Sequence, residues 1–438
     1  MSDRWLYAWA LAAVAFGGAS LTVPLYVVEL GGDAFVLGIL FATASFVGVP
    51  GALVFGRLAD RTGRRRVFVL GAMAATATTA VAIPAVDSIP LVVVFNAVLW
   101  LGFAAATPVL TLLVVAGAPE REWTDRIARL NELQGIGWAA GLLVGFLVVA
   151  AGSTVLAVVD AQRLFFLVCA ACSGVGFAVA TRELPADPAP GREPSPRRLR
   201  RRVREADRFT VRGAAFPFTP GRIDVRRLRP RRFVARFTPD LAIYFGAVLL
   251  VFTGFGVFFA PLPAYLGDVG YDSSGVFALY LLLNVGAAVA FGWAGRLARR
   301  YEVTVLQAVA LLGRGLAFPT VVLLGAGGVV GSLTLGAVFV LVGITWAVIA
   351  VTAATLVSRL SPPAIRGEAL GVYGALVALA GGLGGLLGGT LAASGYVVAF
   401  GAAGALVGVG ALVVALLGRR TAAGTAAREG AVGAGSGP

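Results

Sequence analysis

Apolar residues along this chain do not alternate with polar ones; they come in long blocks. Twelve can be marked: residues 5–28, 34–55, 67–86, 90–117, 131–151, 162–182, 240–266, 274–294, 303–325, 331–357, 367–391 and 395–417. A helix rises ~1.5 Å per residue, so ~20 residues cross a ~30 Å hydrocarbon layer. A period of two is missing, which argues against a membrane β-barrel. Lipid offers no partner to unpaired backbone groups, so each block is expected to be a helix. The first block is longer than the apolar core of a signal peptide and lacks a small-x-small cleavage site, so it reads as a retained first span.

Composition agrees with the blocks. The chain is 58% hydrophobic and 13% charged, whereas soluble domains carry about 25% charged residues. The net charge of +14 could suggest nucleic acid, but its distribution does not. All 36 basic residues are arginine, and they fall in alternate loops: Arg57, Arg61 and Arg64–Arg66 after span 2, Arg121, Arg126 and Arg129 after span 4, a cluster after span 6, Arg296, Arg299 and Arg300 after span 8, Arg359 and Arg366 after span 10. The other loops carry Glu29, Asp33, Asp87, Asp160 with a lone Arg163, Asp268 and Asp272. The positive-inside rule then puts the arginine side and both termini in the cytoplasm of a multi-pass cell-membrane protein. The charge is expected to meet lipid headgroups, with no nucleic-acid partner.

Absences narrow the chemistry. Without lysine there is no Walker A motif, and without histidine no His-bearing zinc site or proton relay. Cys169 and Cys172 stand in "LVCAACSG" with no second pair and read as small apolar residues. No nucleophile–base arrangement or cofactor motif is evident. The expectation is a non-enzyme with no metal and no cofactor.

The chain also repeats itself. Gly56-Arg57-Leu58-Ala59 returns as Gly295-Arg296-Leu297-Ala298, an offset of 239 (56 to 295). "RIARLNELQGIGWAAGLLVG" (126–145) aligns with "RGEALGVYGALVALAGGLGG" (366–385), placing Gly141 on Gly381 and Gly145 on Gly385. Two six-helix halves facing the same way account for this. The divisions are an N-terminal bundle (1–182), an Arg/Pro-rich cytoplasmic linker (183–238) suited to anionic headgroups, a C-terminal bundle (239–418) and a disordered Gly/Ala-rich tail (419–438). Parallel repeats of this kind place substrate near the midplane between the halves.

The block Gly56-x-Leu58-x-Asp60-Arg61-x-Gly63-Arg64-Arg65 resembles motif A of the major facilitator superfamily and falls in the loop between spans 2 and 3, where that motif belongs. The resemblance, to prokaryotic members, covers residues 4–418. It implies an all-α membrane protein of twelve spans in two pseudo-symmetric six-helix bundles. It also implies that Asp60 meets the N-terminus of span 11, with Arg366 adding a full positive charge to the helix end. That contact would latch the cytoplasmic face shut. In the second copy the same column is Arg299, so one half does most of the holding.

Span 5 carries Gly137, Gly141 and Gly145, and span 11 carries Gly381 and Gly385; such residues let helices approach closely. The span 5 series is loosely similar to motif C of the drug-antiporter branch but lacks its proline. The family architecture implies a cavity between the halves, for which this chain offers Tyr26, Asn96, Trp100, Thr107, Tyr244, Phe255, Asn284 and Trp346. Aromatics with scattered hydroxyls and amides suit an amphipathic organic molecule. Arg314 falls near mid-membrane in span 9, with no acid at its depth, and reads either as a cavity group for an anion or as an interhelical tie. Glu132 is the carboxylate best placed for proton coupling, unless it pairs with Arg126 or Arg129. The expected function is a monomeric secondary transporter exporting hydrophobic or amphipathic small molecules. The alternatives are an importer or facilitator of a small metabolite and a non-transporting receptor on the same fold.

Overall fold

A computed structural model describes residues 4–62, 64–115, 119, 122–185, 238–325, 328–362 and 365–434. The helices are α1 (Arg4–Glu29), α2 (Ala34–Thr62), α3 (Arg65–Ala82), α4 (Ile89–Val115), α5 (Trp123–Gly152), α6 (Val158–Glu183), α7 (Pro239–Phe259), α8 (Ser273–Arg300), α9 (Val303–Leu324), α10 (Gly328–Leu360), α11 (Arg366–Ala392) and α12 (Tyr396–Ala434). Eleven of the twelve are long and apolar enough to cross a membrane within their described residues; α2 contributes the shorter apolar stretch Ala34–Gly48. Their lipid side is plain from large exposed side chains such as Val289, Leu316 and Leu323, which no water-soluble surface would group on long apolar helices.

α7 breaks after Phe259, where Pro261 and Pro263 interrupt the ladder, and resumes as a short helix, Leu262–Asp268. Two differences from the sequence reading concern helix ends. α2 continues as helix through "GRLADRT" to Thr62, because that stretch holds no proline and its one glycine is tolerable there. α12 continues to Ala434, into the segment read as a disordered tail; its many alanines favour helix. The Arg/Pro-rich stretch 186–237 lies outside the described residues.

The packing has a two-fold plan. In the first half α1 packs on α5 and α6, α2 on α4, and α3 on α4 and α6. Six helices later the pattern returns: α7 on α11 and α12, α8 on α10, and α9 on α10 and α12. Between the halves the main seams are α2 against α11 and α5 against α8, which the same operation exchanges. The turns repeat too. Gly31 and Gly270 both take positive φ, 86° and 94°, a region open to glycine because it lacks Cβ. Two residues on, Asp33 accepts from Val36 N at 2.9 Å and Asp272 from Gly275 N at 2.9 Å, capping α2 and α8.

Up-and-down alternation gives the bundle two chemically distinct ends. One, the acid end, gathers Glu29, Asp33, Asp87, Asp160, Asp268 and Asp272; the other, the arginine end, gathers Arg4, Arg64–Arg66, Arg182, Arg296, Arg299, Arg300 and Arg359. Arg163 crosses the rule and sits at the acid end. It is held by Asp87 at 2.6 Å, Asp160 at 3.1 Å and the Tyr26 hydroxyl at 3.4 Å.

Candidate functional site

A half-open cavity of about 60 Å³ lies on the seam between the halves. α1, α2 and α4 supply one wall, α7 with its distal helix and α8 the other. The wall is mostly apolar: Leu37, Leu40, Phe41, Trp100 and Phe259 are among its members. Polar groups are few and uncharged. Ser20 and Ser45 turn their hydroxyls back to the Gly17 and Phe41 carbonyls of their own helices, which lets lone hydroxyls sit in lipid-depth helices without an orphan donor. Asn96 Nδ2 reaches the Leu40 carbonyl at 3.5 Å, and Tyr280 completes the polar set.

Of the residues expected to line this space, Asn96 and Trp100 do. Tyr26 is drawn away: its hydroxyl donates to the Val86 carbonyl at 3.1 Å and accepts from Arg163. Thr107 bonds the Phe103 carbonyl and Asn284 the Tyr280 carbonyl, each one turn back on its own helix. Tyr244 is buried against Gln307, with which it exchanges hydrogen bonds. Phe255, Trp346 and Arg314 do not line the cavity; they cluster together next to Phe259, which does. Glu132 is exposed on α5; Arg126 pairs with Glu122 at 3.2 Å and Arg129 reaches the Tyr7 hydroxyl at 3.3 Å, so neither arginine takes Glu132. Ser20, Ser45, Phe41 and Phe259 are among the lining residues that sequence reasoning passed over, and nothing in a uniformly apolar run marks which face of the helix they occupy.

The motif A block is only partly on view. Leu58 and Arg64 are exposed, and Arg65 is buried at the start of α3. The neighbouring Arg66 ties α3 to α6 through the Thr181 and Leu184 carbonyls. Gly63 and the side-chain placements of Asp60, Arg61 and Arg366 lie outside what the structure describes, as do the surroundings of Gly56 and the contact expected of Asp60.

The glycines divide into two kinds. Gly137, Gly141 and Gly381 serve packing within a half. A Cβ on Gly137 would stand 2.5 Å from the Ala10 carbonyl oxygen, and one on Gly141 2.7 Å from Gly18 N; the Gly381 carbonyl lies against Gly256. Gly145 and Gly385 instead face the opposite half. A Cβ on Gly145 would meet the Phe277 ring at 2.5 Å, and one on Gly385 the Phe41 ring at 2.7 Å. Each half thus gives a bare patch of helix to a phenyl ring from the other.

At the acid end the halves are also hydrogen-bonded. Gln162 Nε2 donates to Ser273 Oγ at 2.8 Å, and Ser273 Oγ donates to Glu29 at 3.4 Å. The short helix Leu262–Asp268 packs on α1 and α2. Closure at this end therefore includes a three-residue polar chain. Ser273→Ala removes its middle member. A neutral hydrogen bond contributes about 0.5–1.5 kcal/mol, so the open population at this end is expected to rise roughly two- to tenfold. Spin labels at the exposed positions Val155 and Leu333, with Cys169 and Cys172 replaced by alanine, would report it as added long-distance signal.

A family profile for the Major Facilitator Superfamily matches residues 6–363. The chain belongs to the major facilitator superfamily. Solved structures of similar fold include a nucleoside transporter, NupG (TM-score 0.68, 14% identity, 94% of this chain and 99% of that one). A D-xylose–proton symporter gives 0.68 at 15% identity, over 94% and 96% of the two chains. The inward-open xylose transporter XylE from E. coli gives 0.63 at 16%, over 94% and 95%. No curated protein matches this superfamily member in sequence. Likeness at such identities shows the fold, and with the family it makes the chain a multi-pass membrane transporter of two six-helix bundles.

Proposed function

We propose that this superfamily member is a secondary transporter that works by alternating access and exports hydrophobic or amphipathic organic compounds. The observation that carries the reading is the cavity itself, a mostly apolar chamber on the seam with walls from both halves and without a charged lining residue. Rocking of one half on the other exposes such a chamber to each side in turn. In this orientation the arginine end is cytoplasmic, by the positive-inside rule, and the acid end is the closed outer face. A second reading, import of a small polar metabolite, is favoured by Asn96 and Tyr280 at the wall and by neighbours titled as nucleoside and xylose transporters. The test is transport in proteoliposomes with a panel of amphipathic compounds, nucleosides and sugars, with and without an imposed pH gradient. Movement of polar solutes alone selects the second reading; no movement of any solute under either condition removes both.

The latch of the inner face belongs to the same proposal: Asp60 against the N-terminus of α11, with Arg366 beside it. Helix N-termini and arginine both favour a carboxylate. Asp60→Asn keeps the shape and removes the charge, so transport is expected to fall at least tenfold while membrane insertion and monodispersity persist. Unchanged transport would count against the latch.

A further inference from the structure

Arg314 stands at the twelfth position of α9, near the middle of the span, and is 1% exposed. Its Nη1 donates to the Val342 carbonyl at 2.9 Å. No carboxylate bonds it among the described residues, and its Nε has no acceptor. Four rings surround it: the guanidinium carbon lies 4.3 Å from the Phe255 centroid, 5.6 Å from Phe259, 5.7 Å from Phe318 and 5.6 Å from Trp346. The faces of these rings attract the cation, but they offer its Nε–H no acceptor. The indole Nε1 of Trp346, buried beside it, is also without an acceptor. Two stranded donors and one uncompensated charge thus meet in one place, where burying either alone is already costly.

We propose that Arg314 and Trp346 form an anion subsite of the transport cavity and that it takes the carboxylate of a monoanionic organic acid. This rests on the transporter reading above and narrows its substrate class. The route is short: Phe259 lines the cavity and packs its ring beside the guanidinium, so rotation of that side chain joins subsite to chamber. One cation neutralises one carboxylate, whose two oxygens match the planar guanidinium fork and leave an acceptor site for the indole. A dianionic phosphate would leave a net charge in an apolar surround. The rings of Phe255, Phe259 and Trp346 suit an apolar body behind the carboxylate.

The test is equilibrium binding to the purified full-length chain in nanodiscs, using benzoate, 2-naphthoate and octanoate with their uncharged amides and with inorganic phosphate. At least one acid is expected to bind tenfold or more tighter than its amide. Arg314→Gln should erase that preference, Arg314→Lys should keep part of it, and Trp346→Phe should weaken the acid about threefold with its amide unmoved. If Arg314→Gln does not fold, the lysine and Trp346→Phe variants carry the same comparison. No acid binding better than its amide, equal preference in Arg314→Gln or, where that variant does not fold, in Arg314→Lys and Trp346→Phe, or phosphate displacing the acid at equal concentration each overturns the subsite. Tight, Arg314-dependent binding without movement in proteoliposomes would instead sink the transporter reading and leave the subsite standing.

Discussion

Gly38→Leu is expected to cut transport about five- to a hundredfold and leave a well-folded protein. Gly38 lies on α2 where that helix crosses α11 of the other half. A Cβ there would sit 2.6 Å from the Gly385 carbonyl oxygen and 3.2 Å from Gly389 Cα. The obstruction is backbone, which cannot rotate aside as a side chain can. The partner surface is equally bare, since a Cβ on Gly389 would meet the Ala34 carbonyl oxygen at 2.7 Å. Overpacking a tight contact costs about 1–3 kcal/mol, here charged only to states in which the acid end is shut. Each 1.4 kcal/mol is a tenfold change in population, and every transport cycle must pass through that state. The same label pair, Val155 and Leu333, should shift to longer distance, while size-exclusion behaviour and yield stay near the parent's. Normal transport by Gly38→Leu would mean that the α2–α11 crossing does not close the outer face.

The topology was open to a reader of the sequence because lipid constrains so much. Twelve apolar blocks, arginines in alternate loops and a repeat at an offset of 239 require little else to give two six-helix halves. Rotation of each helix was not open in the same way. Tyr26 and Tyr244 carry the same hydroxyl as Tyr280, yet only Tyr280 reaches the chamber; the first two are tied to Val86 and to Gln307. Helices that are apolar all round carry no stripe to say which face turns inward. The surroundings of Arg314 were hidden for another reason. Its depth follows from counting along α9, but its rings come from α7 and α10 as well as α9. The turn repeat was legible and missed: Gly31-x-Asp33 and Gly270-x-Asp272 stand at the same offset as the charged hinge, and a glycine before an N-cap aspartate is a readable pattern.

Glycines that look alike in the sequence should also part ways under mutation. Gly256→Leu is expected to fail at folding, where Gly38→Leu fails at cycling. Gly256 lies on α7 inside the second half, and a Cβ on it would stand 2.7 Å from Gly385 N and 2.8 Å from the Gly384 carbonyl carbon. The crossing is built from both sides: a Cβ on Gly384 would meet Thr253 Cα at 2.9 Å, and one on Gly388 the Val257 carbonyl oxygen at 2.5 Å. In lipid the apolar effect gives helices little reason to associate, so close van der Waals contact carries much of the load. α7 and α11 stay packed in any state in which the half moves as a body, so a leucine at Gly256 is penalised in all of them. Yield of monodisperse protein is expected to fall at least tenfold, with aggregation on heating well below the parent. Gly17, which precedes Gly256 by the repeat offset and would put a Cβ 2.7 Å from Trp138 Cα, should behave likewise when replaced by leucine. Should Gly256→Leu fold normally and lose only transport, α7 and α11 slide during the cycle and the half does not move as a rigid body.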